Sequence, residues 1–141
     1  MKHYEVTAAV IRYKEKVLVT SRPDEDPYAG LWEFPGGKRE ENEVLETCLL
    51  REIKEELGID ISIDQFFTQV CHTYPQFSVT LYVFLCSYQG GKISPLPTVK
   101  YRWVDLEELQ RLPLLEADKK IVAALLNRFK NQSGERWQGE P

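Results

Sequence analysis

Glu52, Glu55 and Glu56 stand within the run Arg51-Glu52-Ile53-Lys54-Glu55-Glu56. On an α-helix, at roughly 100° per residue, carboxylates with this spacing fall within an arc of about 100° and share one face. Many such faces are simply solvated. Here, though, like charges three and four residues apart repel by roughly a few tenths of a kcal/mol per pair, and only Arg51 and Lys54 are near enough in sequence to offset them. Hard oxygen ligands gathered in this way are what Mg2+ or Mn2+ requires, most of all where the phosphates of a substrate complete the octahedron.

A helix that presents these carboxylates must be anchored on another side, and Leu49, Leu50, Ile53 and Leu57 form a neighbouring stripe suited to packing on a sheet. Asn42 offers an N-cap and Gly58 a left-handed end, which predicts a helix over residues 43–57. Before it, Arg22 to Gly37 holds Pro23, Asp24, Asp26, Pro27, Gly30, Pro35 and the Gly36-Gly37 pair, a long loop with a short extended piece at Leu31 to Phe34. Residues 3–12 and 16–21, rich in Val, Ile, Tyr and Thr around Lys14-Glu15, read as two strands. After the helix, residues 65–74 and 77–88 read as two more, joined at Pro75-Gln76. The second alternates Phe77, Val79, Leu81, Val83 and Leu85 with Ser78, Thr80, Tyr82, Phe84 and Cys86. Tyr101 to Val104 is a short strand, Asp105 caps a brief helix reaching Leu112, and a last helix from Glu116 to about Lys130 aligns Ile121, Leu125 and Phe129. This order predicts an α/β fold with a mixed β-sheet sandwiched between α-helices. It forms a single domain over residues 1–130, with the polar segment 131–141 as a flexible C-terminal tail.

Composition narrows the function. A chain of 141 residues with 43% hydrophobic residues has enough apolar surface for one core and no room for a second catalytic domain. The net charge of -4 argues against stable nucleic-acid binding, which favours a basic face. A small polyanion bound through metal ions remains compatible. Cys48, Cys71 and Cys86 form no C-x-x-C pair and no cluster with His3 or His72, so reduced, buried thiols in a cytoplasmic protein are expected. His72, on an apolar strand, reads as a packed or hydrogen-bonded histidine, and Trp32 and Trp103 as core residues or the border of a pocket. No apolar run is long enough to span a membrane.

Reading on from Gly37, five residues, Glu43, seven residues, Arg51-Glu52-Ile53, one residue, Glu55-Glu56, one residue, Gly58-Ile59 resembles the Nudix box at every one of its positions. Glu33-Phe34-Pro35-Gly36-Gly37-Lys38 is similar to the approach found in MutT-type members, and the likeness covers roughly residues 3–129. The resemblance implies that Glu52, Glu55 and Glu56 are metal ligands, with the backbone carbonyl of Gly36 as a further one. It implies that Glu43 and Arg51 pair to orient the glutamate helix; a cation beside clustered carboxylates keeps them ionised and fixed. It also implies a Mg2+-dependent hydrolase, Mn2+ being possible, that uses water to cleave a nucleoside diphosphate linkage.

The same resemblance assigns Arg22 to phosphate or sugar, a plain surface arginine being the alternative, and Asp118, in Pro113-Leu114-Leu115-Glu116-Ala117-Asp118, as a reader of the base; Phe34, beside the double glycine, contacts the nucleobase or packs in the core, and Lys38 is a further substrate-binding candidate. Asp118 is placed equally well to cap the last helix. One departure stands out: many MutT-like members carry an additional loop glutamate as base or ligand, but residues 65–104 contain no Asp or Glu. Glu52 is then the leading general base, with Asp105, Glu107 and Asp118 as outside alternatives. The implied activity is hydrolysis of a nucleoside triphosphate to the monophosphate and pyrophosphate, with 8-oxo-dGTP or a related (d)NTP as substrate. CTP or dCTP, then ADP-ribose or a nucleotide sugar, are the alternatives. A non-catalytic module binding oxidised guanine, a different class of function, typically lacks the box glutamates that this chain keeps.

Overall fold

Alternating apolar residues build two long strands at the centre of the molecule, and the computed structural model, which describes residues 1–130, shows how the rest assembles on them. The strands are β1 (Lys2–Tyr13), β2 (Lys16–Ser21), β3 (Trp32–Glu33), β4 (Gly36–Lys38), β5 (Asp60–Thr73), β6 (Phe77–Gly90) and β7 (Tyr101–Val104). The helices are α1 (Leu45–Leu57), α2 (Leu106–Leu109) and α3 (Glu116–Leu125), the last continuing into a π-helical turn at Leu126–Lys130. The sheet runs β3-β2-β1-β6-β5, with β4 added to β1 and β7 to β2. β1 and β6 are parallel, from Lys2↔Phe77 to Arg12↔Ser87, while the other pairings are antiparallel, so the sheet is mixed.

The period of two along β6 divides the interior. Val79, Leu81, Val83 and Leu85 join Ile121, Leu125 and Phe129 of the C-terminal helix on one face. Phe84 and Cys86 join Leu49, Ile53 and Leu57 of α1 on the other. Truncating a fully buried side chain such as Ile53 or Leu125 to Ala should cost about 2–5 kcal/mol, because a cavity remains. α1 is thereby clamped by one stripe, which leaves its glutamates free to face elsewhere.

Several expectations needed correction. α1 begins at Leu45 rather than at residue 43, and Asn42 is not its N-cap: Asn42 adopts a left-handed φ of 63° in the preceding turn. The cause is Glu43, whose carboxylate binds the Glu40 N–H and Arg51 and so holds the chain out of helical geometry. Leu50, placed on the packing stripe, is 45% exposed. Cys48 and Cys86 are buried, but Cys71 is exposed, because on edge strand β5 it lies on the side that alternates outward. β5 also starts earlier than expected, and Gly36-Gly37-Lys38 is a strand rather than the end of a loop. Gly58 does end α1 left-handed, at φ 72° with its N–H on the Lys54 carbonyl. The tail at 131–141 lies outside the described residues, and among those described no helix is long and apolar enough to cross a membrane.

Candidate active site

Arg51 organises the acidic face of α1. Its Nε and Nη2 donate to Glu43 Oε2 and Oε1 at 2.7 and 2.9 Å, a two-pronged pair. Nη1 reaches Glu52 Oε2 at 3.0 Å and Glu55 Oε1 at 3.2 Å, and Nη2 also reaches the Lys38 carbonyl at 3.3 Å. The hydrogen bonds from Arg51 pull the Glu43 carboxyl down to about 2, and those to Glu43 chiefly raise the arginine above its usual range. One guanidinium thus ties the helix to the turn before it and to β4.

β4 brings backbone against the helix as only glycine permits. A Cβ on Gly37 would run into the Glu52 carboxyl, and one on Gly36 into the Thr7 carbonyl of β1. Thr7 Oγ1 donates to the Gly37 carbonyl at 3.3 Å, and the buried Cys48 thiol lies 3.5 Å from the Lys38 carbonyl. Burial raises that thiol's pKa, so it stays protonated as a packing group.

A cavity of about 740 Å³ opens beside this junction. Its wall carries Gly36, Gly37, Glu52 and Glu56 together with the apolar Val6, Phe34, Val79 and Leu81 and the rings of Tyr4, Tyr28, Tyr74 and Phe77. The Tyr74 and Phe77 rings stack with centroids 5.0 Å apart, and Lys38 Nζ lies 4.1 Å from the centre of the Tyr4 ring. Arg22 lies in the same wall, near enough to act on both Glu56 and Asp118, and is held by Asp26 and Glu33. Asp118 is buried and accepts from the Phe34 N–H at 2.9 Å. It lines the cavity, and no side-chain cap is formed on α3.

Burial and arginine bonds compete for the carboxyls, and the balance differs from one to the next. Asp26, bonded to Arg22, is lowered. Glu56 is pushed up to about 8, first by burial and then by the charges of Glu52 and Glu33. Burial raises Glu52 and Glu33 despite their arginine contacts, and burial together with Glu33 raises Asp118 well above the usual range. Glu55 stands apart: its side chain is 60% exposed, and it is not part of the cavity wall. Among the described residues, no three His, Cys, Asp or Glu side chains are already gathered as a metal site. Arg51 occupies the oxygens of Glu52 and Glu55 that would have to converge.

Sequence reasoning missed several members of this wall. In the sequence Glu33 stands only as part of the approach to the double glycine, and Asp26 reads only as a loop former. Tyr4 and Phe77 come together through the parallel pairing of β1 with β6, which leaves no local trace. Trp32 and Trp103 do not line the cavity. Asp105 caps α2 by accepting from the Glu108 N–H at 2.8 Å, and neither it nor Glu107 borders the cavity. His72 is half-buried with its ring edge-on to Tyr74 at 4.6 Å.

This arrangement has relatives. The CTP pyrophosphohydrolase of Escherichia coli (strain K12) is 32% identical over 126 residues, covering 89% of this chain and 93% of that one. The 8-oxo-dGTP diphosphatase of Buchnera aphidicola subsp. Schizaphis graminum is 34% identical over 110 residues, 78% of this chain and 83% of the other. The crystal structure of the MutT protein from Methanosarcina mazei Go1 superposes with a TM-score of 0.80 at 25% identity, covering 93% and 97% of the two chains. The NUDIX domain family model matches residues 6–124, a span that takes in the glycine strand, the glutamate helix and Asp118. This chain belongs to the Nudix family of hydrolases, enzymes that act on nucleotides through a divalent metal ion.

Proposed function

We propose that this enzyme hydrolyses a nucleoside triphosphate to the monophosphate and pyrophosphate, with Mg2+ as its metal and 8-oxo-dGTP or a related (d)NTP as substrate. The observation that carries the reading is that one cavity is lined both by Glu52, Glu56 and the glycines of the box and by apolar and aromatic side chains with Asp118. A phosphate chain suits the glutamates and glycines, and a planar base the aromatic and apolar residues.

The glutamates and glycines suit a divalent cation. Glu56 is held largely neutral by burial and its acidic neighbours, so a positive charge beside it would release its proton and remove the repulsion. Glu52, Glu56 and the Gly36 carbonyl would hold the ion, with Glu55 turning in from Arg51. When bound, it would polarise the phosphoryl oxygens and lower the pKa of the attacking water. Arg51 keeps Glu52 and Glu55 oriented, and Glu43 keeps Arg51 in place. Glu52 takes the proton from the attacking water as the new P–O bond forms and the bridging P–O bond breaks. Arg22 and Lys38 meet the phosphates, while Phe34 and Asp118 define the base site. The free thiols of Cys48, Cys71 and Cys86 accord with a cytoplasmic setting.

CTP or dCTP is the second reading, favoured by the near full-length similarity to the CTP pyrophosphohydrolase. Asp118 suits an amine-bearing base of either kind, since its carboxyl accepts from N–H donors. A panel of 8-oxo-dGTP, dGTP, CTP, dCTP and ADP-ribose with Mg2+, its products resolved by chromatography, decides between them. Pyrophosphate release from a triphosphate is expected; turnover of ADP-ribose alone would overturn the proposal.

A further inference from the structure

Two carboxylates hold Arg22 where it enters the cavity. Asp26 accepts from Nη2 at 2.7 Å through Oδ1 and from Nε at 3.3 Å through Oδ2, and Glu33 accepts from Nη1 at 2.9 Å. The two anions differ in surroundings. Glu33 lies on β3 beside Glu56, so changing it also changes the charge around Glu56. Asp26 lies on the loop between β2 and β3, where the Asp26 N–H donates to the Pro23 carbonyl and the Ala29 N–H to the Asp26 carbonyl, each at 3.0 Å. Its backbone is therefore fixed within a pair of turns.

Asp26 has a second task. Its Oδ2 also accepts from the Tyr28 N–H at 3.0 Å, and the Tyr28 ring leans on that of Tyr74 with centroids 5.5 Å apart. The Tyr74 hydroxyl in turn accepts from the Ala117 N–H at 3.0 Å, next to Asp118. One loop carboxylate thus bonds both the Arg22 guanidinium and the backbone of Tyr28, whose ring belongs to the cavity wall. A free arginine on a loop would lose rotamer freedom on meeting a phosphate; one already held by a two-pronged bond loses less.

We propose that Asp26 is a positioning residue for the nucleotide, acting through Arg22 and Tyr28 to set the guanidinium and the tyrosine wall of the cavity at once. The inference rests on the reading of Arg22 as a phosphate or sugar contact, and the test separates the two. Asp26→Asn, Arg22→Met and the double variant are compared by steady-state kinetics at saturating metal, on whichever nucleotide the wild type hydrolyses best. Asp26→Asn should raise KM about ten- to a hundredfold, as expected for a misplaced binding group, with kcat altered by less than about threefold. Arg22→Met should raise KM similarly, and adding Asp26→Asn to it should cost within about threefold more, because both changes break one linkage. Asp26→Glu, which keeps the charge, should recover part of the loss.

Independent, multiplying effects in the double variant would overturn the proposal. So would an unchanged KM in Asp26→Asn, or a fall in kcat alone. An unchanged KM in Arg22→Met removes the reading of Arg22 and this inference with it, whereas a harmful Arg22→Met beside a harmless Asp26→Asn removes only the inference. The wild type gives a check that no unfolded variant can obscure. The Arg22 Nε–H, assigned by through-bond correlation from its own backbone, should appear by 15N NMR as a slowly exchanging signal, and rapid exchange would contradict the two-pronged hold.

Discussion

Metal binding should be coupled to a proton on Glu56. Without metal, burial and the charges of Glu52 and Glu33 push this carboxyl up to about 8 from a usual 4.5, so it is mostly neutral at pH 7. A divalent ion needs the carboxylate, and the proton must leave as the ion arrives. The apparent affinity then scales as one over 1 + 10^(8 − pH): about elevenfold below its alkaline limit at pH 7 and about a hundredfold at pH 6, or about 1.4 kcal/mol per unit. About 0.9 proton should be released per ion bound at pH 7 and about 0.1 at pH 9. The same shift sets a sign for stability. A carboxyl whose folded pKa lies above its unfolded value contributes in full below pH 4.5 and loses that contribution as pH rises through 8. At 1.36 kcal/mol per unit this is no more than about 5 kcal/mol. In chelator, the melting temperature should therefore fall from pH 6 to pH 9, and the protection given by Mg2+ should grow over the same interval. Isothermal titration calorimetry in buffers of different ionisation enthalpy counts the protons, and Glu56→Gln should abolish the dependence. An affinity flat from pH 6.5 to 8.5 with no proton released would refute the reasoning.

Three further outcomes are expected. Gly37→Ala and Gly36→Ala should fail differently: the first displaces the flexible Glu52 carboxyl, abolishing turnover with the fold intact, while the second meets Thr7 backbone and should lower stability by about 1–3 kcal/mol, as thermal melts and a hydrolysis assay will show. Glu52→Gln should lower kcat strongly with little change in KM, and its rate should climb more steeply with pH than the wild type's; parallel pH-rate profiles would place the base elsewhere, with Glu33 and Asp118 then the carboxyls to test. Glu43 is lowered to about 2 by Arg51, so its contribution is present above pH 4.5 and lost as pH falls through 2; the difference in melting temperature between wild type and Glu43→Gln should shrink across that range.

Features that depend on neighbours in the chain were legible in the sequence. The helical period placed Glu52 and Glu56 on a face beside the packing stripe, and Gly58 marked the end of α1 because a left-handed residue closes it there. Alternation located β1, β2, β6 and β7 to within a few residues. Where local preference competed with a distant partner, it lost. Asn42 has the chemistry of a cap, but Glu43 was already committed to Arg51, eight residues on, and the helix could start only after it. Leu50 fits the apolar stripe by type, yet it lies at the edge of the contact, where the sheet no longer covers it.

The acid-free stretch from 65 to 104 shows the limit more sharply. Read along the chain, it leaves the box as the only motif-supported source of a catalytic carboxylate. In the fold, β3 pairs with β2 at Thr20↔Glu33, and the chain before α3 bridges to Trp32 next door, so Glu33 and Asp118 reach the same cavity from segments 85 residues apart. Glu33 raises the proton affinity of both Asp118 and Glu56. Asp26 and Glu43, whose bonds to an arginine outweigh burial, are lowered, while Glu56 and Asp118, buried beside other acids, are raised. That division assigns work by environment: Asp26 and Glu43 hold arginines in place, and Glu56 and Asp118 face the cavity, where a cation or an N–H donor of the substrate supplies the missing charge or hydrogen bond.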